Sequence, residues 1–125
     1  MLVTDTDVMV DVLREHPPAI AWLASLGDEQ IVLPGYVMME LLQGCRNQGE
    51  QRAIERRLAA YAIAWPSAQV CDSAVAVFAR YHLSHNLGIL DALIGQLAVS
   101  LGRPLYTFSQ RHYAASPGLA TVQPY

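Results

Sequence analysis

The opening stretch Leu2-Val-Thr-Asp5-Thr-Asp7-Val-Met9 decides the fold of this chain. Residues 2–4 form a short β-prone run that stops at Asp5, and Thr6 with Asp7 supplies N-cap chemistry for a helix. The apolar side chains that follow recur at helical spacing, at Val8, Met9, Val12 and Leu13. A strand that leads directly into a helix predicts the first half of a βαβ unit.

The same alternation continues along the rest of the chain. Further strands are predicted at residues 30–33 and 105–107, with a fourth, at an edge, over 121–123. Helical periodicity separates them, over residues 20–26, 37–45, 48–61, 70–86 and 91–101. Strands that alternate with helices predict an α/β fold, a three-layer α/β/α domain whose central sheet is mainly parallel.

Length and composition predict a single domain over residues 1–125 that has a real core. Hydrophobic residues make up 53% of the chain and charged residues 15%, which excludes a disordered linker. No apolar run is long enough to cross a membrane, and the first residues lack the basic segment of a secretion signal, so we expect a cytoplasmic protein. Cys45 and Cys71 are too few for a disulfide framework and are expected to be reduced thiols.

The net charge of −3 shows no basic excess of the kind that binds nucleic acid through bulk charge. All eight basic residues are arginines, against 11 acids. If Asp5, Asp7, Glu40 and Asp91 occupied a metal pocket, seven acids would remain against those arginines. The rest of the surface would then be close to neutral.

Those four acids lie where an open α/β sheet binds its ligands. Asp5 ends a strand, Asp7 follows at the turn, and Glu40 and Asp91 lie near the starts of predicted helices. Carboxylates brought together repel one another unless a cation lies among them, and oxygen ligands suit Mg²⁺ or Mn²⁺. Such an ion polarises a phosphoryl oxygen and activates water, so the pattern indicates phosphodiester hydrolysis.

Each acid also has a purely structural interpretation. Asp7 is a good helix cap, and Asp91 would be favoured by the dipole of the helix that it opens. Glu40 is harder to explain in this way, because it lies between Met39 and Leu41 in an apolar segment. A buried carboxylate without a partner costs several kcal/mol or becomes protonated.

Three ordered motifs resemble the PIN-domain family. They are the opening stretch, the segment Val37-Met-Met-Glu40-Leu-Leu-Gln-Gly44, and Asp91-Ala-Leu-Ile-Gly-Gln-Leu-Ala98 with the strand-like residues 101–107 after it. The resemblance is nearly full length. At this size, and with no appended domain, the chain is most similar to VapC, the toxin group of type II toxin–antitoxin pairs.

The resemblance implies a Mg²⁺-dependent ribonuclease, with Mn²⁺ as a substitute metal. Asp5 and Asp91 match the principal metal ligands, and Glu40 matches the third catalytic acid, which binds metal directly or through water. Asp7 matches a supporting position. Ser109 stands at the usual fourth acidic position. A hydroxyl there brings no negative charge, so a second metal would bind more weakly.

The resemblance also implies an RNA substrate, a small antitoxin partner of the VapB type and a homodimer, with no membrane partner. Two alternatives stay open. One is a PIN-like module that binds RNA or protein and has lost turnover, for which Ser109 is the reason. The other is a metal-dependent phosphatase of small substrates, although the chain has no G-x-x-x-x-G-K loop for nucleoside triphosphates.

Overall fold

Five short strands and seven helices alternate along residues 1–125 in a computed structural model of the chain. In chain order they are β1 (Leu2–Thr4), α1 (Thr6–Leu13), α2 (Pro17–Ser25), β2 (Ile31–Pro34), α3 (Gly35–Gln43), α4 (Gln48–Leu58), β3 (Ala62–Ala64), α5 (Ala68–His85), α6 (Ile89–Leu101), β4 (Leu105–Tyr106), α7 (Gln110–Tyr113) and β5 (Thr121–Val122).

The strands form one sheet in the order β3-β2-β1-β4-β5, and every neighbouring pair is parallel. In the centre, Val3 of β1 pairs with Val32 of β2 on one side and Leu105 of β4 on the other. Because crossovers between parallel strands are almost always right-handed, this strand order is expected to place the helices before β3 on one face and those after it on the other. The predicted α/β/α architecture is confirmed. The chain adds β2 and β3 on one side of β1 and then β4 and β5 on the other, so the strand order reverses between β1 and β4.

The core holds the central strands in place. Val3, Leu33 and Leu105, from three adjacent strands, are fully buried. Helix α1 packs its apolar side onto the same cluster through Val8, Met9 and Val12. Burial of one side chain of this size stabilises a fold by about 1.5–3 kcal/mol. The carboxyl ends of β1, β2 and β4 are therefore fixed relative to one another.

The structure differs from the sequence predictions at several boundaries. Strand β3 was not predicted, and it is a partly exposed edge strand of two alanines and one isoleucine. The short helix α7 was not predicted either. Because proline ends a preceding helix, the sequence predicts that the first helix stops at His16-Pro17-Pro18. In the structure α1 already ends at Leu13, and the two prolines begin α2. Proline is favoured at the first helical position because its missing N–H needs no partner there.

The two cysteines and the lengths of the helices bear on predictions about the whole chain. Cys45 and Cys71 are both free thiols, as expected. None of the helices has the length and apolar character needed to cross a bilayer.

Candidate functional site

Asp5 lies at the carboxyl end of β1, where the chain passes into α1. Its carboxyl group is 7% exposed. Oδ1 accepts a hydrogen bond from the backbone N–H of Thr6 (2.8 Å), and Oδ2 accepts one from the Thr107 hydroxyl (2.8 Å). Thr107 follows β4, so these bonds hold Asp5 between the two strands where the chain reverses direction. This is the position at which α/β sheets bind ligands.

The surroundings of Asp5 disfavour its charged form. Burial raises the pKa of its carboxyl group, and the nearby negative charge of Asp7 raises it further, to about 6. The hydrogen bonds from Thr6 and Thr107 lower the pKa but do not offset these two effects. A proton or a cation at this carboxylate would relieve the repulsion between Asp5 and Asp7.

Asp7 connects the start of α1 to the loop after β4. Its Oδ1 accepts from the N–H of Val8 (2.7 Å). Oδ2 accepts from the N–H of Phe108 (3.0 Å), from the Ser109 hydroxyl (2.9 Å) and from the Thr107 hydroxyl (3.3 Å). The expectation that Thr6 and Asp7 supply the N-cap was wrong, because Asp5 is the N-cap and α1 begins at Thr6. Asp7 lies close to Asp5.

Ser109 is drawn into the same network. Its hydroxyl donates to Asp7, and its N–H donates to the Thr107 hydroxyl (2.9 Å). The position predicted to be the fourth acidic one therefore faces Asp7. A carboxylate in place of this hydroxyl would meet the Asp7 carboxylate directly.

Glu40 stands at one side of this network. It lies in α3 and is half-buried, and its Oε1 accepts a hydrogen bond from the Thr6 hydroxyl (2.8 Å). Since Thr6 lies between Asp5 and Asp7 in the chain, this bond brings Glu40 to the edge of their site. Its partner also explains how an acid is tolerated in an apolar segment.

Asp91 lies in the first turn of α6, where the structural interpretation expects it to be favoured by the helix dipole. Its Oδ2 also caps the helix, because it accepts a hydrogen bond from the N–H of Gly88 (3.1 Å). Oδ1 is free of protein hydrogen bonds. The residue is half-buried.

Tyr113, which the sequence reasoning missed, lies close to both Asp5 and Asp91. It ends α7 and is 1% exposed. Burial first, and then the negative charges of Asp5 and Asp91, raise the pKa of its hydroxyl well above the usual range. The available signal was a tyrosine closely following Ser109, but nothing in the local sequence indicated that its hydroxyl turns inward.

The acids form a linked set without closing around a point. Asp5, Asp7 and Ser109 share hydrogen bonds through Thr107, and Glu40 joins them through Thr6, whereas Asp91 makes no hydrogen bond to this network. No three His, Cys, Asp or Glu side chains converge closely enough to hold a metal ion in this arrangement. Asp91 Oδ1 and the second oxygen of Glu40 make no hydrogen bond, so each of these carboxylates keeps one oxygen unpaired.

The sequence pattern of the PIN domain matches residues 2–116. The chain belongs to the PIN domain family. The match includes every acid of the site and the sheet that positions them. No curated protein sequence is significantly similar to this PIN domain.

Solved structures share the PIN domain's fold over its whole length. A chain of DNA-bound VapBC from Salmonella typhimurium superposes with a TM-score of 0.83 at 18% identity, covering 100% of both chains. A toxin–antitoxin complex from Klebsiella pneumoniae gives 0.79 at 22% identity, covering 100% of this chain and 98% of the other. VapBC2 from Rickettsia felis, bound to a promoter DNA fragment, gives 0.79 at 20%, covering 97% and 96%.

Proposed function

We propose that this PIN domain is a Mg²⁺-dependent endoribonuclease toxin of a type II toxin–antitoxin pair, which hydrolyses RNA phosphodiester bonds. The observation that carries the proposal is Asp5, a buried carboxyl group beside Asp7 at the reversal point of the sheet. A pKa of about 6 means that this carboxylate is only weakly stabilised by the protein itself. A divalent cation bound here would offset the repulsion between the carboxylates, so its binding would be favourable.

The residues present fit Mg²⁺ by the chemistry of their donors. Asp5 and Asp91 would hold the ion, and Glu40 would bind it directly or through water, with Asp7 and Ser109 in support. Hard carboxylate oxygens and few protein ligands are what Mg²⁺ prefers. When bound, Mg²⁺ polarises a phosphoryl oxygen and lowers the pKa of a coordinated water.

The chain's own groups position the reactants. Thr107 fixes the orientation of Asp5 through its hydroxyl, and Asp7 holds the loop that carries Thr107. Glu40 keeps one carboxylate oxygen for the Thr6 hydroxyl and has the other free to accept a hydrogen bond or proton from an attacking water. Hydrolysis at phosphorus requires this kind of general base near the metal site.

The proposed partners are a small antitoxin of the VapB type and a second copy of the chain. The toxin–antitoxin pairing is supported by the VapBC and toxin–antitoxin complexes that share the fold at full length. The antitoxin is proposed to cover the acids, where a basic side chain would neutralise them. A homodimer is supported by large apolar side chains that are exposed on α5 and α6, at Val75, Leu83 and Ile89.

A PIN-like binding module without turnover is the second candidate. Ser109 supports it, because this residue replaces an acid and uses its hydroxyl on Asp7. The site would then carry less negative charge and hold metal more weakly. Calorimetry with Mn²⁺ distinguishes the two candidates, because the nuclease requires saturable binding at millimolar or lower concentration, which the module lacks.

The test is cleavage of structured RNAs by antitoxin-free protein, with Mg²⁺ or Mn²⁺ and with EDTA. Asp5→Asn and Asp91→Asn are purified in parallel to exclude contaminating ribonuclease. Asp72→Asn is the matched control, since Asp72 is exposed on α5 and makes no hydrogen bond. We expect metal-dependent cleavage that both site variants lose and the control keeps. Cleavage that persists in both site variants would refute the proposal.

A further inference from the structure

A buried tyrosine hydroxyl without a hydrogen-bond partner lies at the acid site. Tyr113 is 1% exposed, and its Oη makes no hydrogen bond of normal geometry. The ring packs against Gly95 of α6, where an added Cβ would lie 3.5 Å from Cδ1 of the ring. Gly95 follows Asp91 by one helical turn, so both lie on one side of α6. The ring therefore runs along the side of α6 that carries Asp91.

The groups around this hydroxyl are all acceptors. Asp5 lies beside it, and Asp91 and Asp7 are the other charged groups close enough to act on it. A phenol has an ordinary pKa of about 10, so this hydroxyl is a neutral donor at physiological pH. The phenol lies close enough to Asp5 to interact with its carboxylate, but it makes no hydrogen bond of normal length and angle to it. Its capacity to donate is therefore left for a bridging molecule.

An unsatisfied buried hydroxyl is costly, and most such groups in folded proteins bond to protein or to ordered water. Water accepts a hydrogen bond and donates two, which suits one phenol and two carboxylates. We propose that Tyr113 is a positioning residue of this site, whose hydroxyl donates a hydrogen bond to a water molecule that in turn donates to Asp5 and Asp91.

The inference rests on the proposed function, because these carboxylates would hold a cation that keeps part of its hydration water. Groups that orient the ligands of a metal tune its affinity although they do not touch it. The hydroxyl of Tyr113 would act in this way. Its ring, in contrast, serves the core and remains when tyrosine is replaced by phenylalanine.

Tyr113→Phe tests the inference in the full chain, because it removes the hydroxyl and keeps the ring. We expect the dissociation constant for Mn²⁺, measured by calorimetry, to rise about tenfold. Tyr61→Phe is the matched control: its ring lies at the amino end of β3, at the opposite edge of the sheet. The control should leave the Mn²⁺ constant unchanged. A merely structural role of Tyr113 would not change it either.

A change of less than about twofold in Tyr113→Phe would overturn the inference even if the wild type binds Mn²⁺ and cleaves RNA. A wild type that does neither refutes the proposed function instead. The melting temperature of metal-free protein then decides the inference. If water satisfies the hydroxyl, the melting temperature of Tyr113→Phe should be equal to or lower than that of the wild type. A higher melting temperature in the variant would show that the hydroxyl is unsatisfied and would overturn the proposal.

Discussion

At the scale of single residues, Asp5 is a carboxyl group whose position in the fold opposes its charge. Its hydrogen bonds from Thr6 and Thr107 are those of an ordinary structural aspartate. Burial and the neighbouring Asp7 outweigh them, and the pKa rises from 3.8 to about 6. The folded protein therefore holds a proton on Asp5 at pH values where the unfolded chain has lost it.

This shift makes stability fall with rising pH. Between the unfolded and folded pKa values the native state binds more protons, so the free energy of unfolding decreases as pH rises toward 6. Asp5→Asn removes this dependence. Relative to wild type, we expect the metal-free variant to gain about 2 kcal/mol between about pH 4.5 and about pH 7.5.

Urea unfolding at the two pH values, with EDTA present, measures this gain. Asp72→Asn should show no comparable change with pH, because Asp72 is exposed. The assignment of a raised pKa to Asp5 would be wrong if the two variants behaved alike.

Ser109 allows a second test at the residue scale. Ser109→Asp would place a carboxylate next to Asp7, in place of a hydroxyl 2.9 Å from its Oδ2. We expect the metal-free protein to lose about 1–3 kcal/mol, since a hydrogen bond is replaced by repulsion between like charges. Mn²⁺ should then stabilise the variant more than it stabilises the wild type.

Ser109→Asn is the matched control, because asparagine has the size of aspartate and no charge. Melting temperatures with EDTA and with Mn²⁺ measure both effects. An equal response of the two variants to Mn²⁺ would show that charge at this position has no part in metal binding.

At the scale of elements, two helices end where the backbone turns left-handed. Helix α5 is followed by Asn86 at φ 53°, and α6 by Gly102 at φ 65°. The turn at Asn86 leads directly into the first turn of α6, which carries Asp91. The backbone conformation at Asn86 therefore helps to set the position of a predicted ligand, whereas Gly102 closes the opposite end of α6.

Gly102→Ala should destabilise the protein by about 1 kcal/mol, because an L side chain is disfavoured at positive φ. The effect is one of the backbone alone, since a Cβ at Gly102 would meet nothing within 4 Å. Gly49→Ala makes the same chemical change inside α4, where a Cβ would lie 3.4 Å from Asn47 Oδ1. It should stabilise the protein by about 0.5 kcal/mol, because alanine favours helix.

Chemical unfolding of the two variants measures both free energies against wild type. Although both variants replace glycine with alanine, the free energy of unfolding should decrease in Gly102→Ala and increase in Gly49→Ala. Two destabilised variants would mean that packing, and not backbone conformation, sets the effect.

The predictability of each element depended on how far its signal is local. Helix α1 has its own apolar repeat, and Leu2–Thr4 has β-prone residues before an acid. Strand β3 has neither, since alanine is not a strand former, and it exists because Ile63 and its neighbours pair with the backbone of β2. Helix α7 has four residues, too few to show a period.

At the scale of the whole molecule, the charge and the surface bear on partners. The net charge of −3 gives no general attraction for RNA, so substrate binding has to come from local contacts and from the metal. Large apolar side chains are exposed on adjacent helices, with Val75 on α5 66% exposed and Ile89 on α6 64% exposed. Exposed apolar side chains so close together are typical of an interface.

We expect the isolated chain to be a dimer that Val75→Glu and Ile89→Glu weaken, because each would bury a charge in the interface. Sedimentation equilibrium measures the dissociation constant. Ile20→Glu on α2, where the side chain is 40% exposed, is the matched control and should keep the dimer. A monomeric wild type would refute the homodimer, and dimers of unchanged affinity in both variants would place the interface elsewhere.

The sequence by itself determined the fold class, the order of most elements and the choice of acids for the candidate site. These follow from local causes: the spacing of apolar side chains, capping residues, and acids placed after a strand or at the start of a helix. The PIN domain match over residues 2–116 confirms the family that the motifs resemble.

Only the tertiary structure decided what each group meets. It showed that Thr107 binds Asp5 from 102 positions away, that Asp7 holds the loop of Ser109, and that the Tyr113 hydroxyl turns inward. The physical reason is that burial and hydrogen bonding depend on neighbours that the chain brings together from distant positions. A carboxyl group's pKa, and hence its affinity for a cation, is set by those neighbours and not by the residues next to it in the sequence.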